Sequence, residues 1–282
     1  MGLPRSTYYY RLKSVVQARA AARLKQDLDV KDLIDRVHVE FPAYGYRKLH
    51  HELVRRGHRI NGKRLRRIQR KYGLFAIQMR RWIRTTDSKH NRPRYPRLIS
   101  PALAIVDLDQ VWVADITYVR INTGFVFVAI VMDLCSRRAV GWAVSHRIDA
   151  ELCVTALRCA IETRKPRPGC IHHSDQGVQY ASEAYIELLK EWRFEISMSR
   201  TGNPYDNAAM ERFMRTLKYE EVYLNGYETM ADVQERLPYF IEDIYNRRRI
   251  HQNLGYLTPE EYECKIRNQR SSTPEPGPTP HI

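Results

Sequence analysis

The sequence is poor in the residues that would make it a disulfide scaffold, a membrane span or a secreted precursor. Its five cysteines, Cys135, Cys153, Cys159, Cys170 and Cys264, are odd in number and form no Cys-x-x-Cys pair. A disulfide framework is therefore not expected, and no Cys/His grouping has zinc spacing. The longest apolar run, Phe125 to Met132, ends at Asp133 after eight residues, against the roughly 20 needed to cross a bilayer. The opening MGLPRSTYYYRLK lacks the apolar stretch of a secretion signal. There is no Gly-rich phosphate loop, no G-x-S-x-G elbow, no H-E-x-x-H helix and no internal repeat, which removes several common enzyme classes. Acidic residues are scarce in one region: residues 1–100 hold 7, against 26 Lys and Arg.

What is present is a globular composition, 43% hydrophobic and 28% charged over 282 residues, enough for two domains with real cores. The net charge of +15 is unevenly spread: the first hundred residues carry +19 and the rest −4. That asymmetry points to a polyanion-binding module joined to a near-neutral body, and nucleic acid is the commonest polyanion. The cysteines fall in apolar patterns and are expected as reduced core thiols of a cytoplasmic protein.

Periodicity predicts a helix over residues 5–38, a second over 46–56 closed by Gly57, and a third over 62–72 capped by Asn61. The third keeps Leu65, Ile68 and Tyr72 as an apolar stripe; the rest is Lys63, Arg64, Arg66, Arg67, Arg70 and Lys71. Two short helices joined by a Gly-containing turn, the second basic, form a helix-turn-helix pattern whose cations can reach phosphates. Residues 84–104 read as a basic linker. From residue 111 the period changes to that of strands: 111–119, 125–134 and 139–145 are expected as an antiparallel meander. Helix 149–164, strand 170–174, helix 182–192, strand 194–198 and helix 207–223 follow, then a further helix over about 231–248. The expected fold class is α/β, a mixed sheet of order βββαβαβα behind an all-helical helix-turn-helix domain. The expected division is 1–29 helical segment, 30–83 helix-turn-helix domain, 84–104 linker, 105–225 core, 226–266 helical extension and 267–282 disordered tail.

Three carboxylates stand inside or at the ends of elements, and each taken singly would be read as a surface or capping residue. Asp115 lies inside the first strand, where an ion in an apolar run is costly unless something compensates it. Asp175 follows the fourth strand in HHSDQGVQY, and Glu211 lies on the helix NAAMERFMRTLKYE. Carboxylate oxygens are hard donors suited to Mg²⁺ or Mn²⁺, and two such ions about 3.5–4 Å apart can bridge a phosphodiester. Three clustered acids are the minimum to hold them, so the metal-free site is expected to be electrostatically strained.

Asp115 and Asp175 are separated by 59 residues, and Asp175 and Glu211 by 35. On this element order, that spacing resembles the DDE transposases and retroviral integrases with their RNase H-like catalytic core. W-x-A-D-I-T-Y (112–118), H-S-D-Q-G-x-Q-Y (173–180), S-R-x-G-N-P-Y-D-N-A (199–208) and Y-N-x-x-R-x-H-x-x-L-G-Y-x-x-P (245–259) resemble, more narrowly, the insertion-sequence family-three transposases in their second-reading-frame product.

The resemblance implies catalysis and ligation of two Mg²⁺ or Mn²⁺ ions by Asp115, Asp175 and Glu211. It implies cleavage of DNA to a 3′-hydroxyl followed by strand transfer. The partners implied are double-stranded DNA, further copies of the chain on that DNA, and a first-reading-frame product as fusion or partner; no membrane is expected. Competing readings are a non-catalytic DNA-binding regulator and a simple RNase H-like nuclease. Near the acids, Arg215 and Lys218 are four and seven residues beyond Glu211 on one helix face, suited either to DNA phosphate or to pairing with Glu211. Met210, Phe213 and Leu217 form the opposite, core-facing stripe. His173 is a candidate DNA contact or a backbone-bonded histidine. Asn207, another candidate contact, or Asp206 is expected to cap the Glu211 helix. Gly177 and Gly202 are expected to bring backbone near DNA or to turn the chain, and Asp133 to form a salt bridge with Arg137 or Arg138.

Overall fold

The computed structural model describes residues 5–77, 94–100, 103–199 and 208–271. The chain divides into two compact units, residues 1–80 and 81–282. The first contains α1 (Arg5–Glu40), α2 (Tyr46–Arg55) and α3 (Gly62–Tyr72). Packing on α1 begins only at Asp27: Val30, Ile34 and Val37 meet Leu49 and Leu53 of α2 and Leu65 and Ile68 of α3 in a small core. Asn61 caps α3 as expected, its side chain accepting from Lys63 N–H, and Gly73 closes it at φ 68°, a left-handed conformation that glycine adopts without steric cost.

The second unit is built on β1 (Val111–Ile121), β2 (Gly124–Asp133), β3 (Ala139–Ser145), β4 (Ile171–Ser174) and β5 (Glu195–Met198), with α4 (Ala150–Arg164), α5 (Glu183–Glu191) and α6 (Ala208–Leu217) between and after them. The strand order is β3-β2-β1-β4-β5. β1, β2 and β3 form the expected antiparallel meander, and β4 and β5 add in parallel. α4 and α5 cover one face, packing Leu157, Ile161, Tyr185 and Leu189 against Trp112, Ala114, Ala129 and Val131. The other face carries Val113, Val128, Ile130 and Met132, covered by Met210, Phe213 and Leu217 of α6. That is the stripe expected from the sequence. β4 pairs with β1 only over Val111–Val113, so it stops short of Asp115.

The helical extension closes the second face. α6 runs into a π-helical segment, Lys218–Val222, and α7 (Tyr223–Asn225). α8 (Met230–Tyr239), started by a Thr229–Asp232 capping box and carrying Pro238, continues into a longer π segment, Phe240–Arg248. Asn246, fully buried, accepts from Ala139 N–H and donates to Ala139 C=O, acting as a strand partner for β3. Arg249 holds Glu220 through two 2.7 Å bonds. α9 (Pro259–Ser271) places buried Glu263 on Arg164 at the end of α4, at 2.8 and 2.9 Å.

Three expectations are revised. The helix α9 extends to Ser271, past the expected start of a disordered tail at 267; residues 272–282 lie outside the described residues. Part of the expected linker 84–104 belongs to the second unit: Leu98 N–H donates to Ser197 Oγ at 2.9 Å and Ile99 is buried. The rest of that stretch lies largely outside the described residues. Asp133 forms no ion pair with Arg137 or Arg138. Its buried carboxylate accepts from Asp109 N–H (2.6 Å), Ser136 N–H (2.7 Å) and Ser136 Oγ (2.9 Å), tying the β2–β3 turn to the entry of β1. Desolvation pushes its pKa up to about 6 despite these bonds.

Among the described residues, no helix is long and apolar enough to cross a membrane. All five cysteines are free, and Cys135, Cys153 and Cys170 are buried. α4 lies directly on β3 at Gly141, where an added Cβ would stand 2.4 Å from Ala156 O and 2.6 Å from Ala160 Cβ. Neither neighbour is a flexible side-chain end, so Gly141→Ala must lift α4 off the sheet. Urea denaturation is expected to show a loss of about 1–3 kcal/mol; an unchanged midpoint would mean that the α4–β3 approach is looser than described.

Candidate active site

Each of the three acids is delivered by a different element. Asp115 sits mid-β1, in register with Ile130 of β2, and its Oδ1 accepts from Ile116 N–H at 2.8 Å. Asp175 follows the last residue of β4, and its Oδ1 accepts from Gly177 N–H at 2.9 Å. Glu211 lies in the first turn of α6 with an exposed side chain. The sheet order explains the first two: β1 and β4 are parallel neighbours, so a residue just past the end of β4 comes level with the middle of β1.

The acids are brought within electrostatic reach of one another. The pKa of Asp115 is pushed up to about 7, by desolvation first, then by the charges of Asp175 and, more weakly, Glu211; the Ile116 N–H bond and Lys218 oppose the rise. Water still reaches part of Asp115, as an ion or a substrate phosphate would have to. The chemistry of the donor set fits a hard dication: oxygen donors, net negative, and strained by like charge. The described side chains are not drawn up around an ion, however. Among the described residues no group of three His, Cys, Asp or Glu stands in ligating arrangement. The acids are thus gathered at electrostatic range and short of coordination range.

Gly177 supports Asp175 by a different means from the backbone freedom expected of a loop glycine. An added Cβ would lie 2.9 Å from Asp175 Oδ1, so a larger residue here would push that carboxylate oxygen from its present position. Lys218 also departs from expectation. It does not share the exposed face of Glu211 and Arg215; it is buried where the π segment starts, with Nζ 4.3 Å from the Tyr118 ring centroid. Burial brings its pKa down to about 8, with Asp115 acting in the opposite direction. Arg215 is exposed and lies over Tyr219. Tyr118 is the residue that sequence reasoning passed over, although it ends the quoted motif W-x-A-D-I-T-Y.

Other expected contacts are corrected. His173 is 1% exposed, with Nδ1 2.8 Å from Ser197 Oγ; it braces β4 against β5 and has no surface to offer DNA. Asn207, Asp206 and Gly202 lie outside the described residues. In the helical unit, Arg64 and Arg67 are drawn onto buried Asp27 of α1 at 3.2 and 2.8 Å. Burial alone would raise that carboxyl's pKa, yet the two guanidiniums outweigh it and hold it below the usual range. Lys63, Arg66 and Arg70, at helical spacing on one outer stripe, are exposed, as are Arg67 and Lys71; Arg66 stacks on the Tyr46 ring at 3.9 Å.

Comparison with known proteins matches residues 108–204 and 193–259 to integrase core domains and residues 25–82 to an HTH-like domain. The "Insertion element IS600 uncharacterized 31 kDa protein" of Shigella sonnei is 36% identical over 94% of this chain and 96% of its own length. The "Transposase for insertion sequence element IS904" of Lactococcus lactis is 33% identical, over 85% of this chain and 96% of that one. "Transposase InsF for insertion sequence IS3A" of Escherichia coli K12 is 35% identical, over 79% and 77%. The chain belongs to the IS3-family transposases. It is a polynucleotidyl transferase of the DDE class, and the regulator and nuclease readings are not favoured. The integrase core family to which the transposase belongs is divalent-metal dependent. Among solved structures, the catalytic core domain of BIV integrase is similar at a TM-score of 0.44 and 18% identity, over 58% of this chain and 99% of that one.

The raised carboxyl of Asp115 sets a pH dependence. The folded state holds this proton up to about pH 7, whereas the unfolded chain releases it near pH 4. The folded state therefore loses stability as pH rises through that window. In metal-free protein at pH 8, Asp115→Asn is expected to stabilise the fold by at most about 4 kcal/mol; at pH 3 the difference should vanish. Equal urea midpoints for the two proteins at pH 8 would contradict the crowding.

Proposed function

We propose that Asp115, Asp175 and Glu211 are the catalytic and metal-binding acids of this transposase, cutting DNA to a 3′-hydroxyl and then joining that hydroxyl to a second phosphodiester. The observation that carries the reading is the position of Asp115: a strand-interior carboxylate, reached by water, raised to a pKa of about 7 partly by Asp175 and Glu211. Asp133, a structural acid, is satisfied by a set of donors; Asp115 has two other acids within electrostatic reach. Two Mg²⁺ or Mn²⁺ ions held by the three carboxylates would supply Lewis-acid stabilisation of the attacking and leaving oxygens.

The chain's own residues do the positioning. Gly177 N–H fixes one oxygen of Asp175. Lys218, beside Asp115, offers its positive charge to a substrate phosphate, a role that suits a cation held at low solvation. Arg215, exposed one turn beyond Glu211, is placed to meet phosphate further from the reacting bond. In the helical unit, the stripe Lys63, Arg66 and Arg70, with Lys71, is the proposed duplex contact. Arg64 and Arg67 position it through Asp27 and are secondary contacts at most.

Double-stranded DNA is the substrate class, element ends and target alike. Assembly of further copies on that DNA, cytoplasmic residence, and a first-reading-frame product as fusion or partner follow from the family and belong to the same proposal.

The test is a joining assay with supercoiled plasmid, short labelled duplexes ending in 3′-hydroxyls, and Mg²⁺ or Mn²⁺. Wild type is expected to transfer label to plasmid. Asp175→Asn is expected to lose at least a hundredfold of that activity while keeping its affinity for duplex DNA. Retention of joining by the variant, or loss of binding along with joining, would overturn the assignment.

A further inference from the structure

Beside the acids stands a set of aromatic rings that the phosphoryl chemistry leaves unused. Tyr118, near the end of β1, and Phe125, at the start of β2, meet edge to face with centroids 5.3 Å apart and planes at 88°. The helical run after Glu211 brings Tyr219 and Tyr223, edge to face at 5.6 Å and 81°. Tyr223 lies within electrostatic reach of Tyr118 as well as of Tyr219, so the two pairs adjoin. Two cations are interleaved with them: Lys218 Nζ at 4.3 Å from the Tyr118 centroid and Arg215 Cζ at 5.6 Å from that of Tyr219.

Phe125 and Tyr223 are 50% and 45% exposed. Single exposed aromatics are ordinary. Four adjoining rings with two cations, at the open part of β1 beyond the reach of β4, have the composition of a site for unpaired nucleotides: ring faces stack bases while cations meet phosphates. Edge-to-face pairing suits this use, because in each pair the ring that presents its edge keeps its faces. Paired bases within a duplex have no face to offer such rings, so the ligand is a frayed or overhanging end.

We infer that Tyr118, Phe125, Tyr219 and Tyr223 form a stacking platform that holds one or two unpaired nucleotides of a DNA end beside the carboxylates, with Arg215 and Lys218 on the flanking phosphates. The platform keeps the end open, so that the terminal phosphodiester lies along the Asp115 side of the site. The inference rests on the proposed active site for its meaning, and its readout is independent of catalysis.

The test uses the full chain without divalent metal and two duplexes of one arbitrary sequence. One is blunt; the other carries a three-nucleotide 3′ overhang with 2-aminopurine at its middle position. Wild type is expected to bind the overhang duplex about tenfold more tightly than the blunt one and to quench the 2-aminopurine. The double variant F125A/Y223A is expected to bring the affinity ratio to about one and to lose the quenching. A second variant, F125L/Y223L, keeps apolar bulk without ring faces and should behave alike, with circular dichroism confirming the fold of both. Equal affinities in wild type, or quenching retained in both variants, would overturn the platform. Asp175→Asn should keep ratio and quenching, so a failed carboxylate assignment shows in the joining assay and a failed platform shows here.

Discussion

A carboxylate inside a β-strand has few ways to be tolerated, and the catalytic unit is arranged around the one it has. Asp115 is set in the central strand of the sheet and is only partly exposed. Asp175, just past β4, and Glu211 of α6 bring their charges within electrostatic reach of it, with Lys218 acting in the opposite direction. The protein thereby carries a local excess of negative charge that relaxes by taking up a proton, or by taking up an ion. That reservoir of unfavourable energy is tolerable because two hydrophobic layers, one on each face of the sheet, hold the elements in place.

The same constraint gives the C-terminal extension its purpose. Glu211 can join the proposed site only if α6 is held at a fixed height over the sheet. The extension holds it from the other side: Tyr245 packs on Phe213 at 4.5 Å, Arg249 grips Glu220, and Asn246 completes the β3 edge. Glu263 anchors α9 to Arg164 and, through Ser136, to Asp133. The motif Y-N-x-x-R-x-H-x-x-L-G-Y-x-x-P, which reads from sequence as a signature, works in large part as this brace.

Much of this was legible in the sequence, for identifiable reasons. The meander, α4 and the core stripe Met210, Phe213 and Leu217 follow from period and turn chemistry, and the strands fall within a residue or two of expectation. Asp115 stood out because a charge inside an apolar strand breaks a local rule, and Asp175 and Glu211 stood out by their spacing from it and by the quoted motifs. What sequence spacing could not show were contacts made across elements. Arg64 and Arg67 look no different from Arg66 until Asp27, 37 and 40 residues away, claims them. Asp133 looked like an ion-pair residue, and is instead a buried acceptor for a turn. Lys218 was expected on an exposed face because ideal α-helical spacing was assumed, and the π segment starting there breaks that assumption. Tyr118 was on the page as a motif letter, with its neighbour Lys218 a hundred residues further along.

The most direct measurement of the central constraint is a carboxyl ¹³C NMR titration of Asp115 in the metal-free protein, repeated in the Asp175→Asn variant. The crowded site predicts a midpoint near 7 in wild type, falling when the Asp175 charge is removed. A midpoint near 4, unchanged by that substitution, would mean that the three acids do not share a site and would contradict the account.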